Sequence, residues 1–310
     1  MYRICLGLLL IIAGFYVKAT EPVHDGLVKL RISNFKDDKA GAVSYTFDDG
    51  LRNQYLISAP IMEKLQIPGT FFIIPGQVSA TLQEAEAKKP GAWGGVTWDE
   101  IRTLVAKGFE IGNHGYNHKN LVTQVKEPEE LENEIENSAD IIRRETGIFP
   151  VSFCYPYNSF NEQVGKIVER RHMVARIFQQ GIGARDTTAK NINQWMDKLI
   201  SRREWGVAMI HGLTDGFDPL RPDVFESHLT YAKKHEKDLW ITLDCKLSKK
   251  QVKVPLTLVI LTENKVTEAK ATQGRESLPV TISNKQIMID CVPDSGRVTV
   301  EWKFSDVYID

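Results

Sequence analysis

Residues 42–50 read Ala-Val-Ser-Tyr-Thr-Phe-Asp-Asp-Gly, a β-type run at 42–47 that stops on two adjacent carboxylates and a glycine. Val, Tyr, Thr and Phe suit a pleated, half-buried surface. Asp-Asp-Gly suits a turn in which the glycine takes a positive φ. Comparable runs recur at 69–74 (GTFFII), 109–112 (FEIG), 151–155 (VSFCY), 173–178 (MVARIF), 206–210 (GVAMI) and 239–243 (LWITL). Helical patterns fill the gaps at 53–65, 97–107, 127–146, 161–171, 191–204 and 222–236. Residues 53–65 carry Leu56, Ile57, Ile61 and Leu65 on one face. Thr97, with Glu100 three residues on, predicts a capping box. Strand–helix alternation of this length predicts a parallel α/β architecture. Seven strands suit a (β/α)7 barrel better than an open sheet.

The residues that follow the strands carry the chemistry. Asp48-Asp49-Gly50 follows the first strand, and Gly112-Asn-His114-Gly-Tyr-Asn-His118 the third. The fourth ends at Tyr155-Pro156-Tyr157 and the sixth at His211-Gly212. Active sites of parallel barrels lie at the C-terminal ends of the strands, and four strand ends here converge on one rim. Each motif alone has an ordinary explanation: a turn, a chance histidine pair, a buried histidine. Their matched placement makes a shared site the better account. Asp with two neutral histidines is a donor set for a divalent ion, most often zinc. His114 and His118 stand four apart, about one helical turn, so that both rings face one metal. Of the two carboxylates, one is free to bind the metal while the other takes a proton from water. His211 is placed to protonate a leaving group, and a backbone N–H near Tyr157 to hold an oxyanion. His24, His172, His228 and His235 lack that context and are expected to be solvated or structural.

The 310 residues carry 39 Lys+Arg and 40 Asp+Glu, which excludes a simple electrostatic nucleic-acid binder. With 42% hydrophobic and 25% charged residues the composition is that of a globular protein. Residues 4–17 (ICLGLLLIIAGFYV) form a 14-residue apolar run after Arg3. That is short for a membrane span, which needs about 18 residues, and suits a signal-peptide core with cleavage near Val17-Lys18-Ala19. The alternative is an uncleaved anchor. With residues 1–19 gone, 37 basic residues face 40 acidic ones, a net charge of −3 and no transmembrane span. The exported form would be periplasmic or extracellular, where disulfides are permitted. Cys154, Cys245 and Cys291 remain, either as buried thiols or with a Cys245–Cys291 pair. Residues 247–310 lose helical periodicity for β-branched alternation and predict a small sandwich-like β module, a glycan-binding unit or a structural appendage. The expected organisation is a 1–19 leader, a 20–246 barrel with its lead-in, and this 247–310 module.

Thr46-Phe-Asp-Asp-Gly50, His114-x3-His118, Tyr155-Pro-Tyr157 and Met209-Ile-His211 resemble the motifs of the NodB-homology polysaccharide deacetylases, carbohydrate esterases that remove N- or O-acetyl groups from glycans. The resemblance spans roughly residues 40–245. It implies a distorted barrel and a bound divalent metal, usually Zn2+. By position, Asp48 would be the general base, Asp49, His114 and His118 the metal ligands, His211 the general acid, and Tyr157 the oxyanion N–H donor. Tyr155 and Pro156, in the same stretch, would lie on the substrate side.

Two departures stand out. The family's third motif places an arginine two residues before the proline, where this chain has Cys154, and Arg176 on the next strand is the candidate to replace it. The Asp-rich fourth motif is not recognisable; Asp186 and Trp195 have the wrong spacing. Trp93, in the long insertion 77–98, is a candidate subsite wall, and the Gly212–Pro222 loop could line the rim. The implied function is a secreted metal-dependent hydrolase of acetyl amide or ester bonds on a glycan. A non-catalytic carbohydrate-binding protein and a metal-dependent amidase on a small non-glycan amide remain as alternatives.

Overall fold

A computed structural model describes residues 10–12, 15–17, 29–243, 256–262, 264–291 and 298–304. The chain divides into two units, 40–252 and 1–39 with 253–310. The larger is a parallel α/β half-barrel. Its strands are β1 (Gly41–Phe47), β2 (Thr70–Ile73), β3 (Glu110–Asn113), β4 (Ser152–Cys154), β5 (Val174–Arg176), β6 (Gln180–Gly181), β7 (Trp205–Ile210) and β8 (Leu239–Ile241). They pair in the order β5-β4-β3-β2-β1-β7-β6. The seven expected strands are all present, and the two-residue β6 adds an eighth.

β1 is the hub. It pairs along its length with β7, while β8 takes residues 41–43 of its other side and β2 takes Thr46 and Phe47. Every residue of β1 is buried, as a strand covered on both faces must be. Phe47 stacks on Phe71 at 4.7 Å between ring centres and meets Phe225 edge-on, joining β1, β2 and the helix Pro222–Lys234 in one core. Only residues 177–179 separate β5 from β6, too few for a helix, and no pairing joins these two strands among the described residues. The barrel therefore opens at β5.

The helices start where the sequence signals them. Thr97 and Glu100 make the reciprocal capping box of the helix Trp98–Ala106. Asn161 caps Glu162–Arg171 by accepting from Val164 N–H at 2.9 Å. Two helices differ from the sequence pattern in a specific way. Residues 53–65 contain a π segment, Gln54–Ser58, ahead of Ala59–Lys64. Pro60 has no N–H to donate and its ring crowds the preceding turn, so a widened turn accommodates it. A second π segment, Asn133–Asn137, lies between the helices Pro128–Glu132 and Ser138–Thr146.

The smaller unit is two antiparallel sheets around one apolar core of Leu258, Ile260, Ile287, Ile289, Val298, Val300 and Trp302. Gly274 and Asn284 take positive φ in its tight turns. One edge strand is Lys29–Ile32, paired with Leu256–Leu261, so the unit draws on both ends of the chain. Leu10–Ile12 and Phe15–Val17 form a separate antiparallel pair. The rest of the expected leader, His24 and Cys245 lie outside the described residues. Cys154 and Cys291 are both buried.

Candidate active site

β1 delivers Asp48 and Asp49 to the rim, 3% and 4% exposed. Asp49 and Gly50 are consecutive left-handed residues, φ 75° and 59°, which turn the chain sharply at the strand end. That turn aims the two carboxylates at different partners.

Asp48 faces Arg176 of β5. The guanidinium grips it with both ends, Nη1 on Oδ1 at 2.7 Å and Nη2 on Oδ2 at 2.5 Å, and Nη1 also donates to Thr46 Oγ1 at 2.8 Å. Burial alone would raise the Asp48 pKa. The Arg176 charge and its hydrogen bonds outweigh burial and hold it at about 2. Cys154 is the register partner of Arg176 across the β4–β5 pair, with Sγ 3.8 Å from Asp48 Oδ2. The short Cys154 side chain leaves the space beside Asp48 that the guanidinium occupies.

Asp49 faces the two histidines. Its Oδ1 lies 3.4 Å from His114 Nε2 and 3.3 Å from His118 Nε2, and makes no hydrogen bond. The donor atoms of all three residues fall within 4.8 Å of one another in a buried site. His114 Nδ1 donates to the Cys154 carbonyl at 2.8 Å, which fixes the tautomer and turns Nε2 inward. Burial opposes protonation of His114, yet Cys154, Asp49 and Asp48 push its pKa well above the ordinary value. The same surroundings attract any cation. Burial and the neighbouring His114 hold His118 down at about 4, so its ring is neutral and its lone pair open. A carboxylate and two imidazoles with converging lone pairs fit a divalent ion of the zinc type.

The His114–His118 spacing is not a helical turn. Both residues lie in the loop after β3, with Gly115 at φ 78° and His118 at φ 58°. The rings converge because that loop folds back, not because they share a helix face.

Around this centre stand aromatic rings. Trp93 and Tyr157, both about half exposed, approach the His118 ring at 4.9 and 4.7 Å between centres. Tyr157 is left-handed, φ 59°, in the short turn Pro156–Asn158 that follows β4. His211, after β7, packs edge-on against Phe217 at 5.0 Å. Gln54 Nε2 donates to the carbonyls of both Asp48 and His211, which places His211 at the same rim. Two of the expected residues stand apart, Tyr155 first. It is 4% exposed and packs with Phe153 in the core beneath the helix Glu162–Arg171. The cause is strand alternation: Cys154 points to Asp48, so Tyr155 points the other way. Pro156 is buried beside Gly115, where it packs under the loop and not on the substrate side. Trp195, sought as a remnant of the fourth motif, packs instead against the barrel core beside Gly206.

Three residues escaped the sequence reading. Gln54, in the first π segment, donates from Nε2 to the carbonyls of both Asp48 and His211, the latter at 2.6 Å, and so ties the ends of β1 and β7 together. Asn53 holds the loop after His211 through the carbonyls of Leu213 and Asp215, at 2.6 and 3.0 Å. Glu134 supports the histidine loop. None lies in a motif; the available signal was a polar residue on the buried side of a helix.

The barrel and its rim define a class, and known proteins resemble it. Residues 35–175 match the family model described as polysaccharide deacetylase. Over those residues, a little under half of the chain, the barrel unit is similar to the polysaccharide deacetylases. A peptidoglycan-N-acetylglucosamine deacetylase of Bacillus cereus is 26% identical over 193 residues, 59% of this chain and 62% of that protein. A gellan lyase of a Bacillus species is 26% identical over 133 residues, 43% of this chain and 5% of that protein. The chain thus spans less than two thirds of either relative. The crystal structure of the Xyl-CE4 domain of a multidomain xylanase from the hindgut metagenome of Trinervitermes trinervoides superposes with a TM-score of 0.50 at 16% identity, over 68% of this chain and 91% of that one. That likeness shows a shared fold.

Proposed function

We propose that this chain is an exported, divalent-metal-dependent deacetylase that hydrolyses acetyl groups from a glycan. The observation that carries the reading is the convergence of Asp49, His114 and His118 beside an arginine-held Asp48. Asp49, His114 and His118 would hold the ion, Zn2+ by its donor set, which would supply Lewis acidity toward the acetyl carbonyl and toward water. Asp48 takes the proton of the attacking water. Arg176 keeps that carboxylate ionised and aimed. The Tyr157 N–H faces the developing oxyanion. His211 gives a proton to the departing amine or alcohol. Trp93 and Tyr157 offer apolar faces with polar edges to the sugar. The relatives named peptidoglycan-N-acetylglucosamine deacetylases make an N-acetylhexosamine polymer the first substrate to try. Export rests on the basic start and apolar run of residues 1–19.

The test is acetate release from peptidoglycan, chitin oligosaccharides and acetylated xylan, with and without added Zn2+. Asp48→Asn is expected to lower the rate by about 10²–10⁴-fold, the scale of a lost general base. His114→Ala is expected to abolish metal-dependent release. A wild-type chain that binds metal stoichiometrically and frees acetate from none of these glycans would sink the proposal.

A further inference from the structure

The histidine pair depends on a loop, and a loop with two left-handed residues needs something to hold it. The support comes from one turn of the neighbouring helix. Glu134, 2% exposed in the second π segment, accepts from the Asn117 N–H at Oε2, 2.9 Å, and from Asn117 Nδ2 at Oε1, 3.2 Å. Its carbonyl accepts from Tyr116 N–H at 3.0 Å. On the far side, Gly76 N–H donates to the Tyr116 carbonyl at 2.9 Å. The same turn holds the start of the loop: Asn113 donates to the Ile135 carbonyl and accepts from Ser138 Oγ, both at 2.9 Å, and takes the Gly115 N–H at 3.0 Å. Every residue between the two histidines is thus tied, directly or through Asn113, to residues 134–138.

We infer that Glu134 is the positioning residue of the metal centre: its carboxylate clamps Asn117 and thereby sets the distance and angle between His114 and His118. The inference rests on the metal-site reading above. Neither hydrogen bond is made to a ligand side chain, so the effect passes through the backbone. The clamp requires an acceptor for the Asn117 N–H and a polar partner for the Asn117 side-chain amide, not a charge. Glu134→Gln keeps an acceptor for the Asn117 N–H, and its NH2 donates to Asn117 Oδ1 once the Asn117 amide turns over. Glu134→Ala leaves the Asn117 N–H unmatched in a buried loop.

The experiment is zinc affinity of the metal-free full chain, by competition with a chromophoric chelator, together with the visible spectrum of the Co2+ form. Supporting partners of metal ligands typically account for about 10–100-fold in affinity. Glu134→Ala is expected to lose that much and to shift the Co2+ bands, while Glu134→Gln stays within a few-fold of wild type with unchanged bands. A merely structural role would lower the unfolding temperature without moving the Co2+ spectrum. Wild-type affinity and spectrum in Glu134→Ala overturn the inference while leaving the metal site standing, and so does an equal loss in both variants. Should Glu134→Ala fail to fold, Glu134→Asp carries the test, since its shorter side chain draws the carboxylate back from Asn117: weakened zinc binding supports the clamp, and unchanged binding overturns it. A wild-type chain that takes up no zinc overturns the clamp and the proposed function together.

Discussion

Asp48 has to remain ionised where almost no water reaches it, and Arg176 is what keeps it so. Its folded pKa of about 2 lies below the ordinary 3.8, so ionisation adds stability on the order of 2 kcal/mol. That contribution is fully present above about pH 4 and is lost as pH falls through 2. Arg176→Met removes the guanidinium and leaves a buried carboxylate beside a thiol. The cost at pH 7 is expected to be about 3–5 kcal/mol, the scale of a broken buried pair. The pH dependence then inverts. An unpaired buried carboxyl has a raised pKa, so the variant recovers stability as acid protonates it, where wild type only loses. Urea unfolding of the metal-free proteins at neutral and mildly acidic pH measures this; a gap from wild type that stays constant with pH rules it out. The carboxylates and histidines were legible from sequence because they end strands. The arginine was legible only as a candidate, since what joins positions 154 and 176 is the register of β4 against β5.

Strands and helices were read closely because burial writes itself into the pattern. β1 is buried at every position and β7 (WGVAMI) carries no polar side chain except the Trp205 indole, and Thr97 and Glu100 mark their helix start by chemistry alone. What the pattern cannot carry is an irregular element. The π segments look like ordinary helix in sequence, yet they present Gln54 and Glu134 to the site. The histidine loop has helical spacing and no helix. The insertion that carries Trp93 is similar: its shape depends on Gly94, φ 67°, whose carbonyl accepts from Ser79 Oγ at 2.5 Å and Lys88 Nζ at 2.8 Å. A Cβ at Gly94 would sit 1.8 Å from the Gln77 carbonyl oxygen. Gly94→Ala therefore forces the loop away and carries Trp93 off the His118 ring. Left-handed strain alone costs about 1–2 kcal/mol, and chemical denaturation should show at least that loss. With Trp93 displaced, KM for an acetylated glycan is expected to rise more than kcat falls. A variant with wild-type KM would separate Trp93 from the substrate.

At the scale of the whole molecule the two units answer acid differently, because the described residues of the β-rich unit contain no histidine. The barrel buries two that the site does not use. His228 is fully buried between Tyr45 Oη, 2.9 Å from Nε2, and Asn193 Oδ1, 2.7 Å from Nδ1. His172 packs against Phe153 and meets Asn113 Nδ2 at 3.1 Å. Burial holds both at about 4, below the ordinary 6.5. The unfolded chain thus takes up protons that the folded barrel refuses, so stability falls as pH drops from 6.5 to 4. Each histidine accounts for on the order of 3 kcal/mol across that window. The sequence pattern left both as structural or solvated. Their burial comes from the packing of helix onto sheet, which no local pattern shows. Calorimetry between pH 7 and pH 4 is expected to show the barrel transition moving down in temperature while that of the β-rich unit holds. His228→Gln gives up part of the hydrogen bonding at neutral pH and flattens the acid slope of the barrel. If both transitions move together, or His228→Gln leaves the slope unchanged, buried neutral histidine is not what limits this fold in acid.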